Sequence, residues 1–274
     1  PAGTGDSLNR YQALIGAWSN ATDPLGATVE VAGDATQRER VLALIRLGLP
    51  SRAVPYVQLR QVGGRYLVDA DILWQVQASE RNLGRLLFLA STAKNVRVHV
   101  QKAGFRPSGI DPATGRRRTL GADSAFSTPQ GTAGMTLPRP TDPDASESPI
   151  VSDEASTSII HVIDSPVGAA VATLAHELYT HEYFAQRNLP SAHVSYGDPI
   201  DIDAAASQNA ALANLMASGY VTPGVRAAAE KAKRRYIDVL VKKERPEIRR
   251  DLEKALQEFD WREWIDFQLP GGGK

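Results

Sequence analysis

The chain has 274 residues, enough for one large domain or two small ones with a real core. Lys plus Arg equals Asp plus Glu at 31 each, so the net charge is zero, which argues against a general electrostatic grip on nucleic acid or an anionic membrane. There is no cysteine, which excludes disulfides, thiolate metal sites and cysteine nucleophiles.

Pro1 to Asp6 lacks the basic flank and apolar run of a signal peptide. Thr36 to Leu47 places Val41, Leu42, Leu44, Ile45 and Leu47 at helical spacing, and Pro50 ends that stretch. Val54 to Val62 alternates as a strand. Gly63-Gly64 signals a hairpin turn, and Arg65 to Val68 is the return strand. Ser79 to Ser91 predicts an amphipathic helix carrying Leu83, Leu86, Leu87 and Leu89. Asn95 to Gln101 alternates Val96, Val98 and Val100 with Arg97 and His99, as a strand does.

Arg106 to Pro149 is rich in clustered proline, glycine and serine. It predicts a long loop with a short strand near Met135-Thr136-Leu137. Arg116-Arg117-Arg118 inside it fits a phosphate or processing site, although such a run is ordinarily a solvated surface.

Ser158 to Ile163 reads as a strand. Asp164-Ser165-Pro166 reads as a helix start, with an oxygen-bearing cap followed by proline. One long helix is expected from Val167 to about Asn188, stopped by Leu189-Pro190. A loop follows, from Ser191 to Pro199. Further helices are expected at Asp203–Ala217, Val225–Val241 and Glu247–Phe259, the last ending near Trp261 and Trp264 as docking anchors. The longest apolar candidate for a membrane span, Ile159 to Leu174, is interrupted by His161, Asp164 and Pro166 and falls short of the ~20 residues required.

The expected fold class is α+β: a small mixed sheet with helices, a long site-bearing helix and a helical C-terminal half. The expected organisation is an N-terminal α/β part (1–105), a long loop (106–149) and a mostly helical part (150–274), the whole also compatible with one continuous domain. The sequence is compatible with a cytoplasmic location or with export as part of a larger effector.

The chemistry concentrates in one place. Three of the five histidines, His176, His181 and His193, lie between positions 176 and 193. His176-Glu177-Leu178-Tyr179-Thr180-His181 sits inside the expected long helix. The familiar zinc-hydrolase pattern is His-Glu-x-x-His, in which histidines four apart share one helix face and the glutamate acts as base. Here the spacing is five. In an α-helix that rotates the second imidazole about 140° from the first, too far for a shared ion. The reading of His176 and His181 as ligands, with Glu177 as general base, therefore requires a π-bulge around Leu178 to Thr180. The competing reading is two unrelated helix histidines.

A catalytic zinc takes three protein ligands and keeps one open position. The third could come from His193, Asp201, Asp203 or Glu230. His193 follows the helix stop, where the chain can double back. Asp201 and Asp203 sit where a helix cap is the ordinary role, and the basic residues around Glu230 suit a surface ion pair. Tyr179 and Tyr196 could donate to an oxyanion, although such tyrosines ordinarily pack. His161 reads as a core or edge residue. Glu182 reads as either an outer partner of the ligands or an exposed carboxylate.

The run His176 to His181 resembles the expanded zinc motif of the dipeptidyl peptidase III family. The longer run Ala175 to Phe184 resembles zincin-like domains of bacterial polymorphic toxins and Rhs-associated proteins, which tend to read His-Glu-Leu-Tyr-Gly-His; Thr180 stands where glycine is usual. The specific part spans about ten residues, with a weaker likeness from Gly63 to His193. The resemblance implies a Zn2+-dependent peptidase domain acting on a peptide or protein, with His176 and His181 as ligands and Glu177 as the catalytic glutamate. Two alternatives stay open: an inactive zincin-like binding or structural module of a larger secreted assembly, and nucleic-acid binding through Lys231 to Arg250. In that last segment interspersed acids favour a solvated helix face, so no nucleic-acid or membrane partner is expected.

Overall fold

The computed structural model describes residues 29–76, 80–92, 94–121, 134–191 and 199–243. His193, Tyr196, Trp261, Trp264 and the expected helix at 247–259 lie outside the described residues.

Short strand β1 (Val29–Val31) leads into α1 (Ala35–Leu47), whose N-terminus is closed by a capping box. Asp34 accepts from the Gln37 amide and Gln37 returns the bond to Asp34 N, both at 2.9 Å. The strand expected from Val54 is shorter than its alternation implies. Residues Ser51–Tyr56 form a 3-10 helix instead, and β2 begins only at Leu59 (Leu59–Val62). Pro50 and Pro55 explain this, since each fixes φ and removes a ladder donor. Gly63 and Gly64, both with positive φ, turn the chain into β3 (Arg65–Val68).

The one-turn helix α2 (Ala70–Leu73) is followed by α3 (Arg81–Ser91), capped by Glu80, and then by β4 (Asn95–Gln101). The segment expected to be a long loop carries more order than its composition suggests. It holds a two-stranded ribbon, β5 (Ser108–Ile110) with β6 (Arg117–Thr119), and then β7 (Gly134–Leu137) at the expected short strand. Arg117 of the arginine run pairs with Asp153 at 2.9 Å.

β8 (Thr157–Ile163) leads to α4 (Val167–His176), a π-helical turn at Glu177–Glu182, and α5 (Tyr183–Gln186). Asp164 does not cap α4. It pairs with Arg40 at 3.1 Å, and the helix starts directly behind Pro166. Two long helices follow, α6 (Pro199–Ala217) and α7 (Pro223–Lys243). No described helix is long and apolar enough to cross a membrane.

The fold is α+β. One six-stranded mixed sheet has the order β2-β3-β1-β4-β8-β7. Its centre is parallel (β1, β4, β8) and both margins are antiparallel. Strands from each of the three sequence segments enter this sheet. Val29, Val31, Val96, Val98, Val100, Ile160 and Val162 point to one face and join a single core with α1, α3, α4, α6 and α7. The opposite face carries Leu137 and Ile159, covered by Leu120 and Ile150 from the excursion between β4 and β8.

On that second face His99 and His161 are register partners, with rings stacked at 5.4 Å. Phe105 lies 4.8 Å from His161, and Gln101 Nε2 reaches its Nδ1 at 3.2 Å. Burial, with His99 adding to it, pushes the His161 pKa down to about 3. Between about 3 and 6.5 the unfolded chain therefore binds this proton more readily than the folded one. The stability tied to neutral His161 is present above about 6.5 and is lost as pH falls toward 3. Urea unfolding between pH 7 and 4 should show wild-type stability falling more steeply than that of His161→Phe, by up to about 1 kcal/mol per pH unit. Parallel pH dependences would refute this assignment.

Candidate metal centre

The π-helical turn spans the sequence expected to depart from α geometry. An α-helix would set His176 and His181 on different faces. One added residue in the turn brings the fifth residue back over the first. His181 Nε2 lies 2.9 Å from His176 Nε2, with ring centroids 4.7 Å apart. Ligand atoms of His176, Glu177 and His181 all lie within 4.8 Å of one another.

The tautomer of His181 follows from its neighbour. Its Nδ1 lies 2.5 Å from the Ser191 carbonyl oxygen, which can only accept, so Nδ1 carries the proton. The Nε2 lone pair then faces His176, as a metal ligand requires. With zinc–nitrogen bonds of ~2.0–2.1 Å, two nitrogens 2.9 Å apart subtend about 90° at an ion. Opening the pair by about half an ångström would reach the tetrahedral angle. Two imidazole nitrogens beside a carboxylate are a donor set that suits zinc.

Glu177 is buried and held from the sheet margin. Thr136 on β7 donates through Oγ1 to Glu177 Oε2 at 2.8 Å, and Glu177 Oε1 lies 4.0 Å from His176 Nε2. β7 runs so close to the helix that a Cβ on Gly134 would collide with the Thr173 side chain and come within 3.0 Å of Glu177 Cγ. The carboxylate is thus pinned between its own helix and the last strand of the sheet.

Two polar networks, one buried and one half-buried, grip the π turn. On one side Glu182, beside His181, is completely buried. It accepts from Arg139 Nη1 at 3.0 Å, from Gln186 Nε2 at 2.7 Å and from the Ser158 hydroxyl. Arg139, only 1% exposed, also donates to Asp142 and to the Asn95 carbonyl. Burial pushes the Glu182 carboxyl up, opposed by Arg139, Ser158 and Gln186. On the other side Arg85 of α3 makes a two-pronged pair with Asp203 of α6, at 2.5 and 2.8 Å, and donates to the Tyr179 carbonyl. Burial would raise Asp203, but Arg85 and Arg81 hold it below the usual carboxylate range.

The expected third ligands sort clearly. Asp203 is not a cap or a ligand, because α6 begins four residues earlier and Asp203 pairs with Arg81 and Arg85. Asp201 pairs with Arg235 at 2.9 Å. Glu230 is exposed on α7 and stands apart from the cluster. His193 lies outside the described residues. Ser191, two residues before it, is held at the site by His181 and by Asp144, which accepts from the Ser191 amide. Tyr179 is a packing residue, since its ring belongs to the main core and burial keeps its phenol strongly protonated.

Sequence reasoning missed Arg85, Thr136 and Arg139. Arg85 reads only as the polar face of an amphipathic helix. Arg139, in Pro138-Arg139-Pro140, had no pattern beyond rigidity. No family model, curated protein or solved structure matches the chain.

Removing Arg139 alone leaves the Glu182 carboxylate buried without its cation. Arg139→Met should cost about 3–5 kcal/mol in urea unfolding, and adding Glu182→Leu should recover much of that loss. A double variant no more stable than the single one would show that the pair acts through packing rather than charge.

Proposed function

We propose that the protein is a zinc-dependent hydrolase acting on peptide bonds, with His176, His181 and His193 as ligands and Glu177 as general base. The observation that carries the reading is the convergence of the His176 and His181 Nε2 atoms at 2.9 Å across a π-helical turn, with the Glu177 carboxylate beside them. A bound zinc ion supplies Lewis-acid polarisation of the scissile carbonyl and makes water nucleophilic near neutral pH. Thr136 holds Oε2 of Glu177, which leaves Oε1, the oxygen facing His176, to take the proton from the attacking water and return it to the leaving amine. The Ser191 carbonyl fixes the His181 ring by its far nitrogen. It also brings the chain to the site two residues before His193, which favours that histidine over the three carboxylates already engaged or remote.

A peptide substrate is supported by the strand beside the glutamate. Among the described strands β7 pairs only with β8. Its outer edge can take an extended chain by main-chain hydrogen bonds, next to the carboxylate that Thr136 holds. An effector setting rests on the resemblance of the motif and bears on delivery, not on chemistry.

A second reading has an observation of its own. A separation of 2.9 Å also suits one imidazole N–H donating to the other, with no metal, as in an inactive binding module. Elemental analysis separates the two. The hydrolase reading expects about one zinc per chain, lost in His176→Ala and in His181→Ala. Glu177→Gln should keep the zinc while hydrolysis of a peptide library falls by at least ~100-fold. A wild-type protein that stays metal-free after zinc is added back would refute the hydrolase reading and leave the histidine pair as a structural contact.

A further inference from the structure

The expanded spacing between His176 and His181 works only if the turn between them stays π-helical. Nothing within the turn selects that geometry: Leu178, Tyr179 and Thr180 would all fit an α-helix. The selection must come from contacts that reward the π form, and the structure has a set concentrated there. Arg85 donates to the Tyr179 carbonyl. Thr180 Oγ1 donates to Asp203 Oδ1 at 3.1 Å and lies 3.2 Å from Ser207 Oγ. The Arg85 guanidinium lies over the Tyr183 ring at 4.3 Å. Asp203 locks Arg85 with both oxygens and is held in turn by Arg81. These contacts engage residues 179, 180 and 183, inside the turn and at its C-terminal border, and none of them touches His176 or His181.

We propose that Arg85 and Asp203 form a latch that holds the turn in its π form and so sets the angle between the two histidines. Arg85 and Asp203 are positioning residues, and the inference rests on the metal-site reading above. The physical basis is the backbone ladder. An inserted residue leaves a helical carbonyl in need of a donor from elsewhere. A guanidinium oriented by a carboxylate supplies one with fixed geometry. Without the latch the turn can relax to α pairing, which swings His181 away from His176 by about 100° for the one residue no longer absorbed.

The test uses the full chain, stripped of metal. Asp203→Asn keeps the shape of the side chain and removes its charge; Arg85→Lys keeps a charge and loses the two-pronged bond. Val29→Ala, a core truncation on β1, is the control for general destabilisation. Zinc affinity is read by competition with a chromogenic chelator. Hydrogen–deuterium exchange is read over residues 177–186 in the metal-free protein. Both latch variants should bind zinc 10–100-fold more weakly than wild type and exchange at least ~10-fold faster across the turn, with α4 and β8 unchanged. Val29→Ala should shift neither reading. Arg85→Lys carries the same expectation should Asp203→Asn fail to fold.

Unchanged protection across the turn in the latch variants overturns the latch, whatever zinc does. Loss of protection with zinc affinity within twofold of wild type overturns it as well. A wild type that binds no zinc while its turn protection depends on Asp203 sustains the latch and overturns the metal reading instead.

Discussion

Two imidazoles on one helix can share an ion only if the helix returns the second to the angular position of the first. With a spacing of five positions, that condition fails in α geometry and is met by one π turn. Much of what surrounds Glu177–Glu182 can be understood from this constraint. The turn must be held from outside, because its own hydrogen bonds do not favour it. Arg85 and Asp203 hold one flank. Glu182, Arg139 and Ser158 hold the other and tie the turn to β8 and to the segment behind β7.

One flank rests on buried charge and the other on half-buried charge, and charge taken out of water is an expensive material for stability. Glu182 is completely buried, and Arg139 nearly so. Hydrophobic residues of similar volume could fill such space with less desolvation. What they could not do is fix direction. A two-pronged arginine–carboxylate pair sets angles as well as distance, and an unusual backbone turn needs its angles set. The same logic applies at Glu177, where β7 supplies Thr136 as a donor and Gly134 as the only residue small enough for the approach.

The sheet explains why these groups meet. α4 leaves β8, the strand beside the margin strand β7, and its C-terminal end lies against β7, where Gly134 meets Thr173 and Glu177. α3 and α6 then close on the turn and bring Arg85 and Asp203 together from positions far apart in the chain. The second face of the sheet, with His99 and His161, is covered by the excursion between β4 and β8, which also holds the ribbon of β5 and β6. The composition of that excursion suggested loop, because proline and glycine mask short strands whose pairing is supplied by distant partners.

The sequence by itself determined the candidate metal-binding residues and the local elements that follow from periodicity. His176, Glu177 and His181, the helix that carries them, the need for a π departure, α1, α3, the β2–β3 turn and the strand β4 are all consequences of neighbouring residues, and neighbours are what a sequence displays. The tertiary structure alone decided what Asp203 and Glu182 do, since a carboxylate's role depends on which cation reaches it through space. It turned Asp203 from a candidate ligand into the partner of Arg85, and gave Glu182 to Arg139. It also placed Thr136 against Glu177. Each of these pairs joins residues at least twenty positions apart on different elements, and no local spacing encodes such a meeting.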